Sequence, residues 1–272
     1  MKVIEYFYAA HSAFAYLGSA RFMAIAAASG RKIAHRPVDL RRVVAEEAGG
    51  VIDVFADKLR ELAAEIKAAG GQAVDAPVTG SVDAAIRGDM PMFVGGDDAV
   101  IERIRPVIEA MGRLRRVGAY GNGYVAKLVN NQLWKIHAAA IGEAMVTAKL
   151  AGLDPLTWWE VMKGGAADSF VLSHDVPSIF AGHYDPSFPI ALCLKDLALI
   201  RKLLDQTGTN STLTDATYDR FREAARRYGT AAGEMTVCKV LEVMTKSTKP
   251  KKHYRKITKN CIVARRFQTR DA

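Results

Sequence analysis

The chain has little cysteine. Cys193, Cys238 and Cys261 are all it carries in 272 residues. An odd, scattered set with no Cys-x-x-Cys excludes a disulfide framework and fits a reducing compartment. His137, His174 and His183 lack the spacing of metal ligands, so no metal is expected. No apolar run reaches the length of a membrane span, and residues 1–8 lack a basic start followed by an apolar core. Both absences predict a cytoplasmic chain that does not engage a membrane. No repeat of the solenoid kind is present. Net charge is also scarce over most of the length. The total is +9, but ten of the 38 basic residues and one of the 29 acids lie from Lys246 onward, leaving 28 of each sign before it. The basicity belongs to a tail, residues 247–272, which is expected to be solvated and disordered. Nucleic acid is not an expected partner, apart from what that tail could touch.

What is present is organised around one stretch, Gly118 to Leu153. Gly118, Gly121 and Gly123 mark a tight bend out of a strand. The next glycine is Gly142, and the residues between are good helix formers, which predicts one helix of about 28 residues, or roughly 40 Å. Apolar residues fall on nearly every side of it (Val125, Leu128, Leu133, Ile136, Ala140, Ile141, Met145 and Leu150), the pattern of a buried helix. Lys127 and Asn131 lie one turn apart on one face. A lysine early in a helix is most often solvated. In a cleft, desolvation would lower its pKa towards neutrality and let it exchange protons.

The motif Gly118-x-x-Gly-x-Gly123-x-x-x-Lys127-x-x-x-Asn131 resembles the catalytic segment of the 3-hydroxyisobutyrate dehydrogenase (β-hydroxyacid dehydrogenase) family. Upstream, Asp75-Ala-Pro-Val-Thr-Gly-Ser81 is similar to that family's substrate-binding motif. Downstream, Leu194-Lys195-Asp196-Leu197 resembles its cofactor-side lysine motif. The three stand in the family's order, and the resemblance covers about residues 51–244. It implies reversible hydride transfer between NAD or NADP and a small hydroxy acid, with Lys127 as acid/base. Thr79, Gly80, Ser81 and Asn131 would bind substrate, and Lys195 would lie near the nicotinamide ribose. The family more often has Ser-Gly-Gly where this chain has Thr79-Gly80-Ser81.

The first 50 residues follow a different pattern. Residues 2–8 and 33–38 read as strands and residues 13–28 as a helix between them. A dinucleotide-binding unit of this shape places Gly-x-Gly-x-x-Gly after its first strand; here residues 9–18 have no such loop. Glu5 to Tyr8, His11 to Tyr16 and His35 to Leu40 resemble instead the start of the thioredoxin-fold 2-hydroxychromene-2-carboxylate isomerases, over about residues 1–44. That resemblance implies a role for Ser12 beside a glutathione thiol; an N-cap is the commoner use of such a serine.

The fold expected is α/β followed by all-α, a shortened Rossmann-like parallel sheet joined by the long helix to a helical domain. The segments are 1–48, an isomerase-like βαβ fragment; 49–120, the second half of a nucleotide-binding domain; 121–246, the helical dehydrogenase domain; and the tail. Strands are expected at 51–55, 72–78, 91–94 and 113–119. Helices are expected at 57–69, 99–111, 155–163, 170–180, 192–207, 213–228 and 235–245. The main functional reading is an NAD(P)-dependent oxidoreductase that forms a homo-oligomer. The alternatives at this stage are a glutathione-dependent isomerase and a non-catalytic chimeric dimerisation protein.

In a Rossmann site the pyrophosphate rests on a helix N-terminus that glycines let it approach. Ala9, Ala10 and Ala13 each carry a Cβ, and Phe14 is large. Losing several charge-assisted hydrogen bonds, each worth about 1.5–3 kcal/mol, predicts an NAD(P) affinity weakened by at least about two orders of magnitude. Calorimetry is expected to find weak or no binding. Micromolar affinity, abolished by a bulky residue at Ala10 or Ser12, would show that the turn had been rebuilt.

Overall fold

The computed structural model describes residues 3–9, 28, 32–38 and 63–244. Ser12, the rest of the turn after residue 9, the strand expected at 51–55, the first part of the helix expected at 57–69 and the basic tail lie outside the described residues. Two compact units meet between Val129 and Asn130.

In the first unit, β1 (Val3–Ala9) and β2 (Lys32–Val38) pair in parallel, with Val3 opposite Lys32 and Ala9 opposite Val38. A second sheet holds β3 (Val74–Asp75), β4 (Met90–Gly96) and β5 (Gly112–Gly118), in that order. β4 and β5 are parallel, connected by α2 (Asp98–Met111), while α1 (Ser81–Arg87) precedes β4. The helix at α2 starts where Asp97 caps it, its Oδ1 accepting from the N–H groups of Ala99 and Val100. Its apolar residues recur at three- and four-residue steps. Ile101 and Ile108, with Ile104 and Met111 beside them, pack on Met92 and Val94 of β4.

The sheet departs from expectation at β3. The segment 72–78 was expected as a parallel strand, but only Val74 and Asp75 form one, antiparallel to β4. Pro77 has no N–H to donate and interrupts the ladder. Beyond it, pairing resumes as a bridge between Val78 and Met92.

The second unit is helical. The long helix α3 (Asn122–Leu150) has 29 residues and crosses from the first unit into it. α4 (Pro155–Met162), α5 (Pro177–Ala181), α6 (Ile190–Thr207), α7 (Thr212–Tyr228) and α8 (Thr236–Met244) follow. Ala138, Ile141 and Met145 of α3, Ile190, Leu197 and Ile200 of α6, Phe221 of α7 and Val237 and Val240 of α8 are buried. α3 and α8 approach closely at Ala138, whose carbonyl accepts from the Cys238 thiol at 3.3 Å.

Two helical expectations are corrected. The helix foreseen over 170–180 is a π-turn at Val171–Asp175 followed by α5. In an α-helix the ring of Pro177 would meet the carbonyl four residues back; the wider turn just before it, closed by Val176 N–H to Val171 O, avoids that. Nor is α3 buried all round: Val125, Val129 and Leu133, at successive four-residue steps, are 44%, 41% and 51% exposed. Among the described residues no helix is long and apolar enough to cross a membrane, and no cluster of three or more metal-binding side chains occurs.

Candidate active site

The bend before α3 is held by a carboxylate. Asp75, at the end of β3, is buried. Its Oδ1 accepts from the Gly121 N–H at 2.7 Å and its Oδ2 from the Tyr124 N–H at 3.0 Å. These amides belong to the start of a helix, where N–H groups have no partner within the helix and the dipole favours a negative charge. The glycines of the motif now have a reason. A Cβ on Gly123 would collide with Asp75 Oδ2 and the Phe93 carbonyl, and one on Gly95 with Asp75 Oδ1 and the Ala119 carbonyl. Only bare backbone lets the carboxylate in.

Asp75 therefore ties the segment running to Thr79–Ser81 to the start of the helix that carries Lys127. Thr79 donates its N–H to the Pro91 carbonyl, which fixes the segment beside β4. Gly80 and Ser81 follow with φ of 106° and 67°. Ser81 is the unusual member, since a left-handed conformation costs a side-chain-bearing residue energy. Its hydroxyl Oγ is buried and has no hydrogen-bond partner among the described residues. A buried polar atom left unpaired costs about 1–3 kcal/mol. Lys127 is half-buried in the second turn of α3.

In the helical unit, Asn131 and Lys195 meet one carboxylate, Asp196. Asn131 Nδ2 donates to Asp196 Oδ2 at 2.8 Å, and Lys195 Nζ lies 3.1 Å from Oδ1. Lys195 is 45% exposed in its side chain, whereas Asp196 is buried. A third group, Lys135 on α3, places Nζ 3.3 Å from Asp196 Oδ2 and is itself buried. Burial alone would raise the Asp196 carboxyl. The charges of Lys135 and Lys195 and the bonds from Lys195 and Asn131 outweigh it and hold the group below the usual carboxylate range. Asn131 was expected to bind substrate; its amide N–H group is committed to Asp196. Lys135 and the central place of Asp196 were missed. The available signal was the four-residue spacing of Lys127, Asn131 and Lys135, which puts all three on one face.

A second acid stands near this group. Burial pushes Glu234 up to about 8, against the pull of Lys135 and with Asp175 and Asp185 adding to the rise. Its Oε2 is 3.8 Å from Cys193 Sγ, and burial raises that thiol as well.

Residues 51–123 match the NAD binding domain of 6-phosphogluconate dehydrogenase, and residues 121–241 match the family described as NAD-binding of NADP-dependent 3-hydroxyisobutyrate dehydrogenase. Together these matches support the 3-hydroxyisobutyrate dehydrogenase family for residues 51–241. A 2-hydroxy-3-oxopropionate reductase of Escherichia coli is 31% identical over 186 residues, which is 68% of this chain and 64% of that protein. A probable 3-hydroxyisobutyrate dehydrogenase of Mycobacterium bovis is 32% identical over 61% of this chain and 59% of its own length. The chain thus spans about half to two-thirds of the length of the curated relatives it matches. The solved 3-hydroxyisobutyrate dehydrogenase of Mycobacterium tuberculosis, determined with L-serine, shares the fold with a TM-score of 0.71 at 22% identity, covering 89% of this chain and 99% of that one.

The raised Glu234 carboxyl carries a pH signature. Folded, it keeps its proton up to about pH 8; unfolded, it loses it near the ordinary glutamate value of about 4.3. Between those limits the folded state binds more protons, so this group's contribution to stability declines as pH rises through the window and is gone above about 8. Glu234→Gln is expected to flatten that decline in denaturant midpoints measured from pH 5 to 9. An unchanged slope would place the titration elsewhere.

Proposed function

We propose that this chain is an NAD(P)-dependent oxidoreductase that interconverts a small hydroxy acid and its carbonyl counterpart. The observation that carries the reading is the buried, unpartnered Ser81 hydroxyl in a left-handed backbone, on a segment that Asp75 fastens to the helix of Lys127. A hydroxyl with no internal partner suits a substrate carboxylate.

In this reading Ser81, with Thr79 and the Gly80 backbone, holds the carboxylate and so fixes which carbon is presented. Lys127 gives a proton to, or takes one from, the oxygen on that carbon. Asn131, its amide turned by Asp196, offers its carbonyl oxygen on the same helix face one turn from Lys127. The nicotinamide supplies or accepts the hydride when bound. Among the described residues, a donor that fits it is Lys195, with a half-exposed side chain tethered at Asp196. Relatives named for 2-hydroxy-3-oxopropionate, 3-hydroxyisobutyrate and L-threonate define the substrate class to test. The homo-oligomer belongs to the same reading: Val125, Val129 and Leu133 leave an apolar line along α3 for a second copy to cover.

The test is NAD(P)H-linked turnover of those three compounds at high cofactor concentration, on protein whose mass by light scattering is expected to exceed one chain. Lys127→Ala is expected to lower kcat by about two orders of magnitude or more, the usual scale of general acid–base catalysis, with the fold intact. Wild-type protein that oxidises neither 3-hydroxyisobutyrate nor L-threonate and does not reduce 2-hydroxy-3-oxopropionate would contradict the reading.

A further inference from the structure

We propose that Lys135 is a positioning residue for this reaction, a buried cation that locks Asp196 and through it the orientation of the Asn131 amide. The inference rests on the oxidoreductase reading and adds a residue that the reading does not use.

Lys135 is 2% exposed, and its Nζ lies 5.2 Å from the Trp134 ring centroid and 5.4 Å from that of Phe188. A buried ammonium is costly unless it is paired with good geometry. Its partner is Asp196 Oδ2, the same oxygen that accepts from Asn131, while Oδ1 takes Lys195. Both carboxylate oxygens are thereby assigned, and a rotation of the group would break a contact at each end. Asn131 answers to this arrangement. Its Nδ2 is committed to Asp196, and its Oδ1 is turned the other way, where it accepts from Asn130 Nδ2 at 3.2 Å. A charged Asp196 can only accept, which permits one orientation of the Asn131 amide; a protonated one could donate, and the amide could reverse.

The other groups facing this cluster do not replace Lys135. Glu234, Cys193 and Asp175 are acidic groups, and the remaining cation, Lys195, is half in solvent, where screening weakens its hold. Asn131 and Lys135 are four apart on α3 and grip Asp196 of α6 together. The face that presents Lys127 and Asn131 thus ends in a buried charge that sets the direction of the amide.

The experiment compares Lys135→Met, Lys135→Gln and Lys135→Arg with wild type. The first readout is the side-chain amide NMR signal of Asn131, assigned by its loss in Asn131→Ala. The second is steady-state turnover. In Lys135→Met the Asn131 signals are expected to move towards those of a solvated amide. There kcat is expected to fall by about tenfold or more, while the hydroxy-acid KM changes by less than about threefold. Lys135→Arg is expected to restore much of both. If Lys135→Met does not fold, Lys135→Gln, which is neutral but hydrogen-bonding, gives the same readouts. A folded, neutral variant whose Asn131 amide stays in place overturns the proposal, as does an equal loss of kcat in the arginine variant. Absence of turnover in the wild type would overturn the oxidoreductase reading alone, because the amide signal still reports whether Lys135 orients Asn131.

Discussion

The first unit depends on the Asp75 carboxylate entering the start of α3. Without that contact the Gly121 and Tyr124 N–H groups would lose the acceptor that ties the entry of the long helix to β3. The contact sets the sequence around it. Gly95 and Gly123 are bare because side chains there would occupy the carboxylate's place, and β3 stops at Asp75 because Pro77 cannot extend the ladder. The segment that continues to Thr79, Gly80 and Ser81 is then delivered beside β4 with its strained serine in place.

The helical unit has its own hub of the same kind. Asp196 gathers Asn131, Lys135 and Lys195 from two helices, and it stays charged in a buried setting because two ammonium groups offset the cost of burial. In each unit one carboxylate is spent on fixing a backbone or an amide, and the groups so fixed are those proposed to handle substrate and cofactor. That division suits hydride chemistry, where geometry must be held tightly while a single proton is exchanged.

Much of this was legible in the sequence, and the reasons are local. The helices expected at 99–111, 192–207 and 213–228 match α2, α6 and α7, the last two ending where Gly208 and Gly229 cap them. The family resemblance rested on three ordered motifs and is matched by the comparisons over residues 51–241. What escaped reading was tertiary. The sequence shows that Asp75 opens a motif but not that its oxygens reach amides more than 40 residues away. Lys195 beside Asp196 reads as a simple surface pair until Lys135 and Asn131 arrive from another helix. The apolar content of α3 predicted complete burial, yet Val125, Val129 and Leu133 lie at the surface, because hydrophobicity alone does not fix which faces of a helix its own fold covers.

The central claim is that the Ser81 hydroxyl is held open for the carboxylate of a small hydroxy acid. The most direct measurement is a titration of 3-hydroxyisobutyrate labelled with 13C at its carboxylate into wild-type protein and Ser81→Ala, followed by NMR. The account predicts a saturable shift of the carboxylate signal in the wild type and an affinity lower by about tenfold in the variant, the loss of one charge-assisted hydrogen bond. Equal affinity in the two proteins, or no saturable shift in the wild type, would contradict it.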